Sequence, residues 1–315
     1  MRGILLPITT PFTAAEEIDS EGLKTNIRKW NTSGISGYVV LGSTGERVNL
    51  DERECQQVIE IARGEVPRNL SFIVGAGQES RRATIAEIKQ AAQAGADAVL
   101  VTTPHFYRAA ITQQTLVDHY RAIADVAPVP VLLYSMPDLT GIKIEPETAA
   151  QLSEHSNIVG IKDSSADVSK FRETIALCGR DFAVLAGNGT VLYEALRAGA
   201  RGGILAVGCV ATLQCLQIFG LVQVGENEQA ARLQGKLTPL ALAVTKRYGI
   251  GGLKAALDFL GFTGGLVRAP LRSVTGAAHG EIKSLLVEAR AEFQDAAKAA
   301  FEATGDSDLA GVVKT

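Results

Sequence analysis

A (β/α)8 barrel with a C-terminal helical appendage, an α/β fold of the TIM-barrel class, is what this 315-residue chain predicts. Short apolar, β-branched runs recur at a spacing of about thirty residues, the length of one strand-helix unit. Segments with apolar positions three and four apart lie between the runs, as amphipathic helices require. After the eighth run the pattern turns helical throughout. A doubly wound open sheet would place a G-x-G-x-x-G turn after its first strand, and this chain has none there.

The eight runs are 3–9, 37–41, 71–75, 98–102, 130–134, 158–162, 183–186 and 203–207. Leu23, Ile27 and Trp30 share a helical face after the first run, and Val58, Ile61 and Ala62 do so after the second. Ser80 can cap a helix running to Gly95, and Thr112 the helix that follows. Gly34, Gly95 and Gly199 stand where helices should stop. The stretch 202–225 carries no charge and approaches membrane-span length. It holds Thr212, Gln214, Gln217 and Gln223, so it reads as a strand and then a buried helix. From about residue 227 onward, helices are expected at 229–248, 252–260 and 280–301, joined by glycine-rich turns at 249–252 and 261–265. The division is therefore a barrel over 1–224 and a helical region over 225–315, whose last residues, 304–315, should fray.

Composition narrows the function. A hydrophobic fraction of 46% is ample for a buried core and excludes disorder for most of the chain. Lys and Arg total 31 against 34 Asp and Glu, and no basic stripe is present to hold nucleic acid. Cys55, Cys178, Cys209 and Cys215 form no C-x-x-C, which fits a reducing, cytoplasmic setting better than a disulfide framework. The first residues, interrupted by Pro7, lack the apolar core of a signal peptide. His105, His119, His155 and His279 have no ligand spacing and read as surface or loop residues, so no metal is expected. A soluble protein acting on a small molecule, without nucleic acid or membrane as partner, fits these bounds.

Chemistry in such a barrel sits at the C-terminal ends of the strands. There Lys162 is the one charge in the apolar run Asn157-Ile-Val-Gly-Ile-Lys-Asp163. Burial disfavours an ammonium, so a lysine placed there is expected to present a neutral amine that attacks ketones to form Schiff bases. Taken alone, a lysine at a strand end more often simply snorkels into water. The second run ends in Leu41-Gly-Ser-Thr-Gly-Glu46, where the hydroxyls and amides of Ser43 and Thr44 can cradle a carboxylate, though the same residues make ordinary turns. Tyr134 closes the fifth run, a position that more often serves packing than proton transfer. Gly187-Asn-Gly189 and Gly202-Gly-Ile-Leu205 would let a ligand approach the backbone closely.

Together these residues resemble the dihydrodipicolinate synthase / N-acetylneuraminate lyase family of pyruvate-dependent class I aldolases. The motifs that carry the resemblance are Gly42-Ser-Thr-Gly-Glu46, Tyr134-x-x-Pro-x-x-Thr-Gly141 and Gly160-Ile-Lys-Asp163, within a likeness running from Gly3 to Leu271. The resemblance implies that Lys162 forms the Schiff base with the keto carbon of pyruvate. Tyr134 would pass protons, with Thr44 beside it. Ser43 and Thr44 would hold the pyruvate carboxylate, and Ile204, Gly187 and Ser164 would line the substrate. It also implies a homo-oligomer, a dimer or tetramer, that needs no cofactor.

Two departures bear on the second substrate. Where the synthases carry an arginine for the aldehyde's carboxylate, this chain has Leu139, and where they carry a relay tyrosine it has Phe106. Tyr107 would point the other way if that segment is extended. The segments Leu133-Tyr-Ser-x-Pro137, Val184-Leu-Ala-Gly187 and Val244-Thr-Lys-Arg-Tyr-Gly-Ile250 resemble the 4-hydroxy-2-oxoglutarate aldolases of this family. Thr44 and Arg47, both bordering the expected pocket, depart from them. The expected reaction is cleavage of a 4-hydroxy-2-keto acid, foremost 4-hydroxy-2-oxoglutarate, to pyruvate and an aldehyde such as glyoxylate. The alternatives are a 2-keto-3-deoxy sugar acid aldolase or dehydratase, and dihydrodipicolinate synthase itself. From another class come a catalytically inactive keto-acid-binding barrel and a pyridoxal-phosphate enzyme, which would need a phosphate cup that Gly187-Asn-Gly189 only weakly suggests.

Overall fold

A computed structural model describes the backbone of residues 1–304 and the side chains of residues 1–290. The strand-helix units run in order: β1 Gly3–Pro7, α1 Ser20–Trp30, β2 Gly37–Val40, α2 Glu52–Glu65, β3 Ser71–Ala76, α3 Arg81–Gln93, β4 Ala98–Thr102 and α4 Gln113–Ala124. There follow β5 Val131–Ser135, the single turn α5 Pro137–Thr140, α6 Pro146–Ser153, β6 Ile158–Asp163, α7 Val168–Leu177, β7 Ala183–Ala186, α8 Leu192–Ala198, β8 Gly202–Ile204 and α9 Thr212–Val224. The C-terminal helices are α10 Asn227–Leu242, α11 Gly249–Phe259 and α12 Ala277–Thr304. All eight strands are parallel and close into a barrel, β1 pairing with both β2 and β8. The residues from 305 on, expected to fray, lie outside the described residues.

The predicted local signals act where they were read. Ser80 and Thr112 each accept from the amide three residues on, at the starts of α3 and α4. Asp51 and Glu54, which the sequence reading did not single out, form a reciprocal capping box on α2. Gly199 ends α8 with φ 109°, a conformation costly for other residues. The uncharged 202–225 stretch is strand, turn and the helix α9, which buries Gln214, Cys215 and Ile218. Among the described residues no helix is long and apolar enough to cross a membrane.

Three expectations change. The glycines at 249–252 do not form a linker: they open α11, where Gly251 packs so closely on the carbonyl of Arg272 that a Cβ would overlap it. Gly202 stands at the start of β8 beside Gly3, not at the ligand end. A Cβ there would strike the Gly3 carbonyl, so this glycine serves barrel closure. His119 lies buried on α4 instead of at the surface, edge-on to Tyr120 at 5.4 Å.

The barrel interior is its own apolar cluster, built from Leu5, Val39, Ile73, Leu100, Leu132, Leu185 and Ile204. A larger core lies between the strands and the helices and continues into α10 and α11. That continuity makes the last helices part of the wall around the site.

Candidate active site

Tyr134 follows Leu132 by two residues, so both face the barrel interior. Its register partner on β6 is Lys162, whose partner on β7 is Leu185. Parallel pairing thus sets a phenol and an amine side by side at the strand ends. The Lys162 Nζ lies 4.3 Å from the centre of the Tyr134 ring, and the two side chains are only 4% and 6% exposed. At the far side of the phenol, the Tyr134 hydroxyl shares a 2.9 Å hydrogen bond with Ser43 Oγ.

Ser43 belongs to a 3-10 turn, Ser43–Gly45, that follows β2 directly. Thr44 is buried beside it. The leading amides of such a turn have no acceptor inside it. The turn is held from below: Thr10 Oγ1 donates to the Gly45 carbonyl at 2.8 Å. Glu46 closes it in the left-handed region, φ 57° and ψ 31°, which is costly for a residue with a side chain.

On the other flank, Gly187 follows β7. A Cβ on it would overlap Ser164 Oγ and lie 3.0 Å from Lys162 Cε. Here the Gly187 backbone is approached closely by the lysine, and Ser164 lies against the same point. Ile204 is buried in the interior cluster at the end of β8. Gly189 is different: its missing Cβ makes room for Val207, and its carbonyl accepts from Gln234 on α10, so it packs the wall. Asp163 points away from Lys162 along the alternating strand. Burial raises its carboxyl above the ordinary range, against the bond it accepts from the Ser165 amide at 2.7 Å.

The rim residues divide. Arg47 pairs with Glu87 on α3, which also accepts from the Gly77 amide just past β3, and it lines a cavity of about 490 Å³ bounded by α2, α3 and the ends of β2, β3 and β4. Phe106 and Tyr107 sit in a turn with both rings exposed and 5.1 Å apart, edge to face. Leu139 is 59% exposed on α5. Arg108 lies across the next turn, its guanidinium 3.1–3.2 Å from where a Cβ on Gly141 would be. The histidines are dispersed: His105 pairs with Glu79 at 3.2 Å and His155 with Asp125 at 3.1 Å, and His279 packs 4.7 Å from Phe259.

One pair escaped the sequence reading. Lys254 on α11 is buried and meets buried Glu46 at 2.6 Å. The signal was of the kind that singled out Lys162, a lone charge in the apolar run Ile250-Gly-Gly-Leu-Lys-Ala-Ala-Leu257.

The geometry has counterparts. A model of the Dihydrodipicolinate synthetase family matches residues 1–289. The 4-hydroxy-tetrahydrodipicolinate synthase of Syntrophus aciditrophicus is 34% identical over 285 residues, covering 90% of this chain and 97% of its own. The enzyme of the same name from Thermotoga neapolitana is 36% identical over 86% of this chain and 92% of its own. The crystal structure of dihydrodipicolinate synthase from Thermotoga maritima superposes with a TM-score of 0.87 at 31% identity, over 92% of this chain and 99% of that one. A prophage protein of the dihydrodipicolinic acid synthase family from E. coli K12, solved in complex with pyruvate, gives 0.85 at 28% identity, over 92% and 99%. This chain belongs to the dihydrodipicolinate synthetase family and is a class I, pyruvate-dependent aldolase.

Proposed function

We propose that this enzyme cleaves a 4-hydroxy-2-keto acid, foremost 4-hydroxy-2-oxoglutarate, to pyruvate and an aldehyde, and that Lys162 carries the reaction. The observation that supports it is the buried Lys162–Tyr134–Ser43 row at the strand ends. In this reading the Lys162 amine attacks the 2-keto carbon, and loss of water leaves an imine. Ser43 and Thr44 hold the adjacent carboxylate. Tyr134, coupled to Ser43, accepts the proton of the 4-hydroxyl as the C3–C4 bond breaks. The protonated imine receives that electron pair as an enamine, and the aldehyde leaves. Protonation at C3 and hydrolysis then free pyruvate and restore the amine. Gly187, Ser164 and the backbone at Ile204 line the pyruvyl half.

Arg108 favours a dicarboxylic substrate. It is a cation beside Gly141, at the ends of β4 and β5, and it has no ion pair among the described residues. A distal carboxylate on the aldehyde half would meet it there, whereas a sugar acid offers hydroxyls at that place. Arg108→Ala is therefore expected to lower kcat/KM for 4-hydroxy-2-oxoglutarate about tenfold, roughly 1.4 kcal/mol, and to leave 2-keto-3-deoxygluconate unaffected. Equal losses on both substrates would remove Arg108 from the reading.

The second reading is condensation of pyruvate with aspartate semialdehyde, favoured by the synthase name that the curated relatives bear. Against it stands Leu139, which cannot make a charge-assisted pair. The test is kcat/KM for the condensation beside that for cleavage of 4-hydroxy-2-oxoglutarate and 2-keto-3-deoxygluconate. Faster condensation by a wide margin would overturn the proposal in favour of the synthase.

A further inference from the structure

The turn that carries Ser43 and Thr44 is tied to the C-terminal helices by charges buried away from the substrate. Lys254 on α11 is 1% exposed, and its Nζ is held by Glu46 Oε1 at 2.6 Å, by the Leu266 carbonyl at 2.6 Å and by the Phe12 ring at 4.5 Å. Burial pulls its ammonium below the ordinary range, and Glu46 opposes that. The other oxygen of Glu46 accepts from the Arg268 amide at 3.0 Å. Arg268 then forks onto Glu54 through two 2.7 Å contacts, donates to the Asn49 carbonyl at 2.8 Å and stacks over Phe12 at 4.3 Å. Two distant stretches therefore converge on the Glu46 carboxylate, α11 through Lys254 and the segment following it through the Arg268 amide, with Phe12 of the β1 extension against both cations.

Pure stability gives no reason for this arrangement. A buried ion pair returns little net stability over an apolar pair of the same volume, because both ions lose their hydration. Glu46 also sits in a left-handed backbone conformation, which is costly for a residue with a side chain and persists only where the surroundings impose it. The imposed conformation is that of the residue directly after Ser43-Thr44-Gly45. A turn whose last residue can rotate would let the Ser43 hydroxyl leave Tyr134, whereas a pinned turn holds it at 2.9 Å.

We infer that Lys254 and Glu46 are positioning residues: their ion pair locks the Ser43–Gly45 turn so that its donors stay set for the keto-acid carboxylate and for Tyr134. This rests on the reading of that turn as the carboxylate cradle. The pair touches no reacting atom. Thr10, through its bond to the Gly45 carbonyl, is the second anchor of the same turn.

The test compares wild type, the neutral double variant Lys254→Met/Glu46→Gln and the single variant Thr10→Val. Each is melted, then trapped with borohydride over a pyruvate series. The double variant exchanges a charged pair for a neutral one and is expected to stay folded. Its half-saturating pyruvate concentration should rise about tenfold or more, with a smaller fall in maximal trapping rate, and Thr10→Val should shift the same way. Folded variants that trap pyruvate with wild-type half-saturation would overturn the clamp, leaving the pair a purely structural contact. Should the double variant fail to fold, the isosteric single variant Glu46→Gln takes its place on the same criterion, since it removes the charge of the pair and keeps the side-chain volume. A wild-type enzyme that traps no pyruvate would instead overturn the cradle reading, and the clamp with it.

Discussion

Tyr134 meets Ser43 at one end through its hydroxyl and Lys162 at the other through its ring, so removing a single oxygen separates two roles. Tyr134→Phe keeps the ring over the amine and loses the proton path. Turnover should fall by roughly 10²–10⁴, the usual contribution of a positioned acid-base group. Rapid-quench measurement of kcat checks this, and near-normal turnover would transfer the proton to Thr44 or Tyr107. Lys162 was legible because a lone charge in an apolar strand demands a reason. The same demand made by Lys254 went unread, because its partner Glu46 lies far away in sequence and nothing local marks the pairing. Arg47 is a similar case: adjacent to the motif, it is taken up by Glu87 on α3, a partner forty residues away in sequence. Proximity along the chain did not fix which way that side chain faced.

At the scale of the element, α4 carries a consequence in its buried His119. Burial and the nearby Arg81 charge, opposed weakly by Glu79, lower its pKa to about 4, against 6.5 when exposed. Between those values the unfolded chain binds a proton that the folded chain refuses. Acidification through that window therefore favours unfolding, and stability is lost from about pH 6.5 down towards pH 4 and is flat above. The full effect is roughly 3 kcal/mol. Denaturant melts at pH 7 and pH 5 should show part of that loss in wild type, and His119→Leu should lack this component. An unchanged pH dependence in the variant would place the effect elsewhere. Strands and caps were legible element by element, since periodicity and capping are local. Glycines were not: Gly199 stops a helix as read, but Gly202 and Gly251 owe their identity to carbonyls brought against them by the tertiary fold.

For the whole molecule, barrel closure brings β2, β5, β6 and β7 to one mouth, and the C-terminal helices complete its wall. The strand count and the closed barrel were legible because the repeat is regular. The dependence of the site on α11 was not, since it is a contact between distant parts of the chain. A chain ended at residue 224 would strip Glu46 of both Lys254 and the Arg268 amide, and so release the turn after β2. It would also uncover the core that Leu233, Leu237 and Leu240 bury. Such a chain should show no cooperative thermal transition by circular dichroism, and a sharp melt near that of the full chain would refute this. The most direct measurement for the account as a whole is borohydride reduction of the intact enzyme with pyruvate, followed by peptide mass mapping. One reduced pyruvyl group on the peptide containing Lys162, absent from a folded Lys162→Ala enzyme that also has no turnover, is the predicted result. Labelling at another lysine, or none at all, would contradict it.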